Sequence, residues 1–151
     1  MRDIVLVYIS KSGNTGLVAE AIADGARDMG LDAGVFSLCD ARVDEILTAD
    51  AVAFGSPTYE HRMLAPMEKF LDRLDGKKCR GKIGIAFGSY GWSGEAPLAI
   101  AKKMRDIGFE VLDPVMRVQY EPLEKDIESC RLLGKGIAKK LKSIKRSHLV
   151  H

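Results

Sequence analysis

Apolar runs of five or six residues, rich in Val and Ile, recur along the chain and alternate with longer stretches in which apolar residues return every three or four positions. Short runs that are apolar throughout mark strands buried on both faces, and the longer rhythm marks the helices that cover them. Strands are predicted at residues 3–9, 33–38, 51–55, 82–87 and 111–115, and helices at 14–29, 64–74, 96–107 and 123–144. A short polar segment at 43–49 supplies the remaining crossover. In the first helix Leu17, Val18, Ala21, Ile22 and Gly25 share one stripe, with Glu20, Asp24 and Arg27 opposite, and Gly30 stands where a left-handed cap would end it. In the last, Ile127, Cys130, Leu133, Ile137, Leu141 and Ile144 are spaced for one buried face.

Strand followed by helix, repeated in this way, predicts an α/β architecture: a doubly wound, five-stranded parallel sheet with right-handed crossovers, covered by helices on both faces. The 151 residues fit one core and one domain, taken as 1–146 with a frayed tail at 147–151. No apolar run approaches the ~20 residues that cross a bilayer, and Arg2-Asp3 does not open a secretory leader, so a cytoplasmic protein without a membrane partner is expected.

Cys39, Cys79 and Cys130 are far apart, and His61, His148 and His151 lack ligand spacing, so no metal site is expected. A formal net charge of +2 is too weak to imply nucleic acid. Its excess sits in Lys135, Lys139, Lys140, Lys142, Lys145 and Arg146, which read as a solvated helix face.

In a doubly wound sheet ligands sit at the carboxyl ends of the strands, where the strand order reverses. After the first strand comes Ser10-Lys11-Ser12-Gly13-Asn14-Thr15-Gly16, leading straight into a helix. Open N–H groups at a helix start bind a phosphate, Ser10, Ser12 and Thr15 add hydroxyls, and Gly13 lets the backbone approach. The plainer reading is that Ser12 or Asn14 caps the helix and the glycines turn the chain. The spacing is that of neither a nucleoside triphosphate loop nor a dinucleotide loop, and it suits a terminal monophosphate.

After the third strand Gly55-Ser56-Pro57-Thr58-Tyr59-Glu60-His61-Arg62 offers a stiffened turn with a ring at its tip, either a stacking platform or an ordinary surface tyrosine. After the fourth, Gly88-Ser89-Tyr90-Gly91-Trp92-Ser93-Gly94-Glu95 holds the only tryptophan in a loop, where stacking on a flat ligand competes with simple packing. Three such loops converging at one sheet edge describe a mononucleotide with a large planar ring, and FMN is the natural candidate.

On these motifs the chain resembles flavodoxin-fold FMN proteins over nearly its full length. Ser10 to Thr15 match the family's Ser/Thr-x-Ser/Thr-Gly-x-Thr phosphate loop. The segments from Gly55 to Tyr59 and from Phe87 to Gly94 resemble more closely the flavodoxin domain of A-type flavoproteins, the flavodiiron oxygen or nitric oxide reductases. The resemblance implies a three-layer sandwich with strand order 2-1-3-4-5. It also implies Ser10, Lys11, Ser12, Gly13, Asn14 and Thr15 around the phosphate. Pro57, Thr58, Tyr59, Glu60 and His61 would lie along the ring, and Ser89, Tyr90, Gly91, Trp92 and Gly94 on its other edge, with backbone of the 58–60 turn near flavin N5.

No diiron domain is present in this sequence, so oxygen reduction by this chain alone is not expected. The implied role is an electron carrier between redox partner proteins, as monomer or homo-oligomer, with no separate catalytic residue. An FMN-dependent NAD(P)H:quinone-type reductase of the same fold is the alternative. A receiver domain needs acidic residues where Ser10 and Ser56 stand, and a low-molecular-weight phosphatase needs a cysteine that the first loop lacks. A pure interaction module with a vestigial loop is the remaining contender.

Overall fold

The computed structural model describes residues 2–91, 93–112 and 115–150. In chain order the elements are β1 (Ile4–Tyr8), α1 (Asn14–Asp28), β2 (Ala33–Ser37), a 3-10 turn (Leu38–Asp40), α2 (Val43–Thr48), β3 (Ala51–Gly55), β4 (Thr58–Tyr59), β5 (Arg62–Met63), α3 (Ala65–Asp72), α4 (Gly76–Cys79), β6 (Ile83–Tyr90), α5 (Glu95–Ile107), β7 (Glu110–Val111), β8 (Met116–Gln119) and α6 (Glu124–Val150).

β1 sends Ile4 and Leu6 to one side of the sheet and Val5 and Val7 to the other, all four buried, which is why this run shows no polar alternation. It pairs in parallel with β2, Ile4 opposite Ala33, and on its other edge with β3, Ile4 opposite Ala51. β3 pairs in parallel with β6, Ala51 opposite Ile83. The order is β2-β1-β3-β6-β7, with β8 also on β6, so the chain forms the α/β flavodoxin-like sheet in the expected 2-1-3-4-5 sequence.

Two cores fill the sandwich. Ile4, Leu6, Ile85 and Phe87 pack with Val18 and Ile22 of α1 and with Cys130, Ile137 and Leu141 of α6. On the opposite face Val5, Val7 and Phe54 pack with Met67 and Leu71 of α3 and with Ile100 and Met104 of α5.

Besides the short α4 and the 3-10 turn, which the pattern did not indicate, the structure departs from it at four places. The fifth strand, expected at 111–115, is divided into β7 and β8, which pair with the beginning and the end of β6, Ile83 opposite Glu110 and Phe87 opposite Met116; residues 113–114 lie outside the described residues. β6 runs on to Tyr90, so Ser89 and Tyr90 belong to a strand and not to the loop after it. Strands β4 and β5 form a small antiparallel hairpin that the pattern did not indicate. Helix α6 continues to Val150, past the expected end at Ile144, because no Gly or Pro follows to stop it and Lys and Arg favour the helix.

Candidate functional site

The carboxyl ends of β1, β3 and β6 lie side by side, with Tyr8 opposite Gly55 and Gly55 opposite Phe87. β1 leads through Ser10–Gly13 into α1. Gly13 caps this helix at φ +88, the left-handed region that glycine enters without strain. The first intrahelical bond runs from the Leu17 N–H to the Gly13 carbonyl at 3.2 Å. The helix therefore has no internal acceptor for the N–H groups of Asn14, Thr15 and Gly16. The Gly13 N–H is taken by the Ser10 hydroxyl oxygen at 2.8 Å.

A cavity of about 430 Å³ opens at this end, lined by Ser12, Asn14, Pro57, Thr58, Tyr59, Glu60, Ser89, Tyr90, Gly91 and Tyr120. Its volume lies within the ordinary range for a cofactor pocket. Of the anticipated site residues, the cavity thus brings together one side chain pair from the first loop, four consecutive residues after β3, and Ser89, Tyr90 and Gly91. The fold seats the others around it. Thr15 is fully buried behind the wall, its hydroxyl 2.7 Å from that of Ser89. Lys11 places its ammonium 4.6 Å from the centroid of the Tyr59 ring without lining the cavity. Ser10 and Gly13 face a neighbouring cavity of about 590 Å³ with Tyr8, Leu38, Cys39 and Pro66. His61 reaches Glu95 instead, Gly94 caps α5, and Trp92 lies outside the described residues.

Tyr120 was missed by sequence reasoning. It follows β8 at φ +58, 63 % exposed, and its N–H donates to the Tyr90 carbonyl at 2.7 Å. Only the pairing of β8 with the end of β6 brings it here, and no local signal announces that pairing.

The turn after β3 is fixed from beneath. Ser56, fully buried, accepts the Leu64 N–H at 3.0 Å and donates to the Pro57 carbonyl at 2.9 Å. The Ser56 carbonyl oxygen comes so close to β6 that a Cβ on Gly88 would stand 2.2 Å from it, so that position requires glycine. Thr58 Oγ1 accepts the Ala96 N–H at 3.0 Å, joining this turn to the start of α5. Glu95, in the first turn of α5, has its carboxyl held below the ordinary range by the Ser93 hydroxyl and by His61.

Among the described residues no group of three or more His, Cys, Asp or Glu could hold a metal ion, and no helix is long and apolar enough to cross a membrane.

The flavodoxin family model matches residues 6–134. Among solved structures, a flavodoxin from the domain Archaea is 49% identical, with a TM-score of 0.89 over 92% of this chain and 98% of that one. The rubredoxin oxygen:oxidoreductase of Desulfovibrio gigas is 30% identical, with a TM-score of 0.85 over 93% of this chain and 36% of that one. The type A flavoprotein of Rhodobacter capsulatus is 32% identical over 142 residues, 91% of this chain and 33% of its own length. The chain spans about a third of the length of the curated relatives it matches. It belongs to the flavodoxin family, whose cofactor is FMN and whose role is flavin-borne electron transfer.

Proposed function

We propose that this flavodoxin-family chain is a carrier that takes electrons from one protein and delivers them to another, with FMN seated in the 430 Å³ cavity. The observation that carries this reading is the start of α1, where the N–H groups of Asn14, Thr15 and Gly16 have no helical acceptor and where Ser12 and Asn14 line the same cavity as Tyr59, Tyr90 and Tyr120. One end of the site thus suits a phosphomonoester, favoured by the helix dipole, and the other suits a flat ring. Ser10, Lys11, Ser12, Gly13, Asn14 and Thr15 would surround the phosphate. Pro57, Thr58, Tyr59, Glu60 and His61 would follow the ring along one edge, and Ser89, Tyr90, Gly91, Trp92 and Gly94 along the other.

When bound, FMN supplies a ring that accepts one or two electrons, and the chain's own residues set its orientation and exposure. Tyr59, 45 % exposed, and Tyr120, 63 % exposed, flank the mouth and leave one edge open to a partner. With a formal net charge of +2, the chain as a whole lacks the negative field of a strongly acidic protein. Each unit charge ~10 Å away in water-like dielectric is worth about 0.4 kcal/mol, or roughly 20 mV for one electron. The lower one-electron potential is therefore expected to be less negative than in strongly acidic flavodoxins.

The same open mouth would admit a nicotinamide, which is what favours direct NAD(P)H:quinone reduction as the second reading. Steady-state oxidation of NADH and NADPH by the FMN-loaded protein, with a quinone acceptor, separates the two. A carrier shows no turnover above free FMN and instead exchanges electrons with a second redox protein. Rapid saturable NAD(P)H consumption would overturn the carrier reading.

A further inference from the structure

β4 and β5 are joined by Glu60 and His61 alone, with Tyr59 opposite Arg62. Both loop residues have positive φ, 50° and 64°, the geometry of a tight hairpin turn that Asn-Gly fills with ease and that side chains as large as Glu and His enter at a cost. A turn strained twice over persists only where its surroundings hold it.

Arg62 pairs with Glu68 at 3.2 Å and the Lys11 ammonium lies over Tyr59 on the flanks of the hairpin, but the groups that reach its turn come from one segment. His61 Nδ1 lies 3.0 Å from Glu95 Oε1 and 3.2 Å from the Ser93 hydroxyl. A carboxylate partner puts the proton on Nδ1, which donates to Glu95. At the base of the hairpin, Thr58 accepts the Ala96 N–H. The segment 93–96 therefore grips the hairpin at its tip and at its root, while Tyr59 and Glu60, between the grips, line the cavity. The depressed pKa of the Glu95 carboxyl fits the same contacts.

We infer that Glu95, acting through His61, is a positioning residue that keeps the Glu60–His61 turn in its left-handed form and so holds Tyr59 and the backbone of Glu60 against the cofactor. This rests on the reading of the cavity as the FMN site. Its consequence is that segment 93–96 controls how the hairpin meets the flavin without touching the flavin at Glu95.

The test compares wild type, E95A, the turn variant E60N/H61G, and the triple variant E60N/H61G/E95A. The turn variant places Asn-Gly where positive φ is needed, so the bend no longer requires a brace. E95A is expected to weaken FMN binding about two- to fivefold, the range for a solvent-exposed ion pair. It should also shift the flavin's visible circular dichroism and midpoint potential. In the E60N/H61G background the same substitution should change none of these. A second readout needs no cofactor. The strong amide-to-Hα NOE within Glu60 and within His61, which positive φ produces, should weaken in E95A. In the triple variant, the corresponding NOE at the substituted positions should persist.

Equal losses in both backgrounds, or an NOE pattern indifferent to Glu95, would overturn the inference. Failure of wild type to bind FMN, with the NOE response intact, would instead strike the cavity assignment and leave the brace standing.

Discussion

Thr15 and Ser89 are the only polar pair that ties the first loop to β6 beneath the cavity among the hydrogen bonds described, and their replacement gives a sharp prediction. Their hydroxyls are 2.7 Å apart, with Thr15 fully buried and Ser89 4 % exposed. Thr15→Val keeps the shape of the side chain and removes its oxygen, so the Ser89 hydroxyl loses its partner in a place where water barely reaches. An orphaned buried group of this kind costs about 1–3 kcal/mol. For a chain of 151 residues, about 2–4 °C of melting temperature accompanies each kcal/mol, giving a fall of about 2–12 °C. The double variant Thr15→Val/Ser89→Ala removes both hydroxyls and leaves neither unpaired, so it should be more stable than the sum of the two single losses by about 1 kcal/mol or more. Urea unfolding of the FMN-free protein, followed by far-ultraviolet circular dichroism with unchanged m-values, measures all four corners of this cycle. A Thr15→Val protein within about 0.5 kcal/mol of wild type, or strictly additive singles, would refute the reasoning.

Two further outcomes follow from charges and thiols away from the site. Asp3 accepts the Asp32 N–H at 2.8 Å and the Lys145 ammonium at 3.2 Å, and the backbone hydrogen bond is the larger cause holding its carboxyl below the ordinary 3.8. A depressed carboxyl stabilises the fold above its unfolded value and loses that contribution as pH falls through the folded value. The stability advantage of wild type over Asp3→Asn should therefore be full above about pH 5 and shrink below about pH 4 in urea titrations, and a pH-independent gap would contradict it. Of the three cysteines, Cys39 is exposed, while Cys79 and Cys130 are buried and burial pushes the Cys130 thiol up to about 11. A disulfide reagent should titrate one thiol rapidly in the native protein and the other two only on unfolding, and two fast thiols would show that a core is open.

The parts of the fold that were legible in the sequence are those where one residue type repeats with a clear period. β1 and β3 are apolar on both faces, and α1 carries its buried stripe from Val18 to Ala26, so their positions follow from pattern alone, although Leu17, read on the same stripe, turns outward at the helix start and is exposed. The β4–β5 hairpin was not legible because two residues cannot show alternation and Glu60-His61 lacks the Asn-Gly signature of such a turn. Gly88 reads as punctuation after a strand, yet it sits inside β6, where its missing side chain lets the Ser56 carbonyl approach. That one misreading placed Ser89 and Tyr90 in a loop. In the site, the phosphate loop was legible because its chemistry is local and contiguous. Tyr120, the Thr15–Ser89 bond and the His61–Glu95 pair join residues 30 to 74 positions apart, and such pairings become visible only when the chain is folded.

The most direct measurement of the central claim is a fluorescence titration of FMN with the cofactor-free protein, read together with the visible spectrum of the reconstituted chain. One FMN per chain, quenched and bound at or below micromolar concentration, is the predicted result, with affinity falling when Gly13→Ala forces a side chain into the left-handed position at the start of α1. Flavin fluorescence that stays undiminished with micromolar protein in excess would contradict the account.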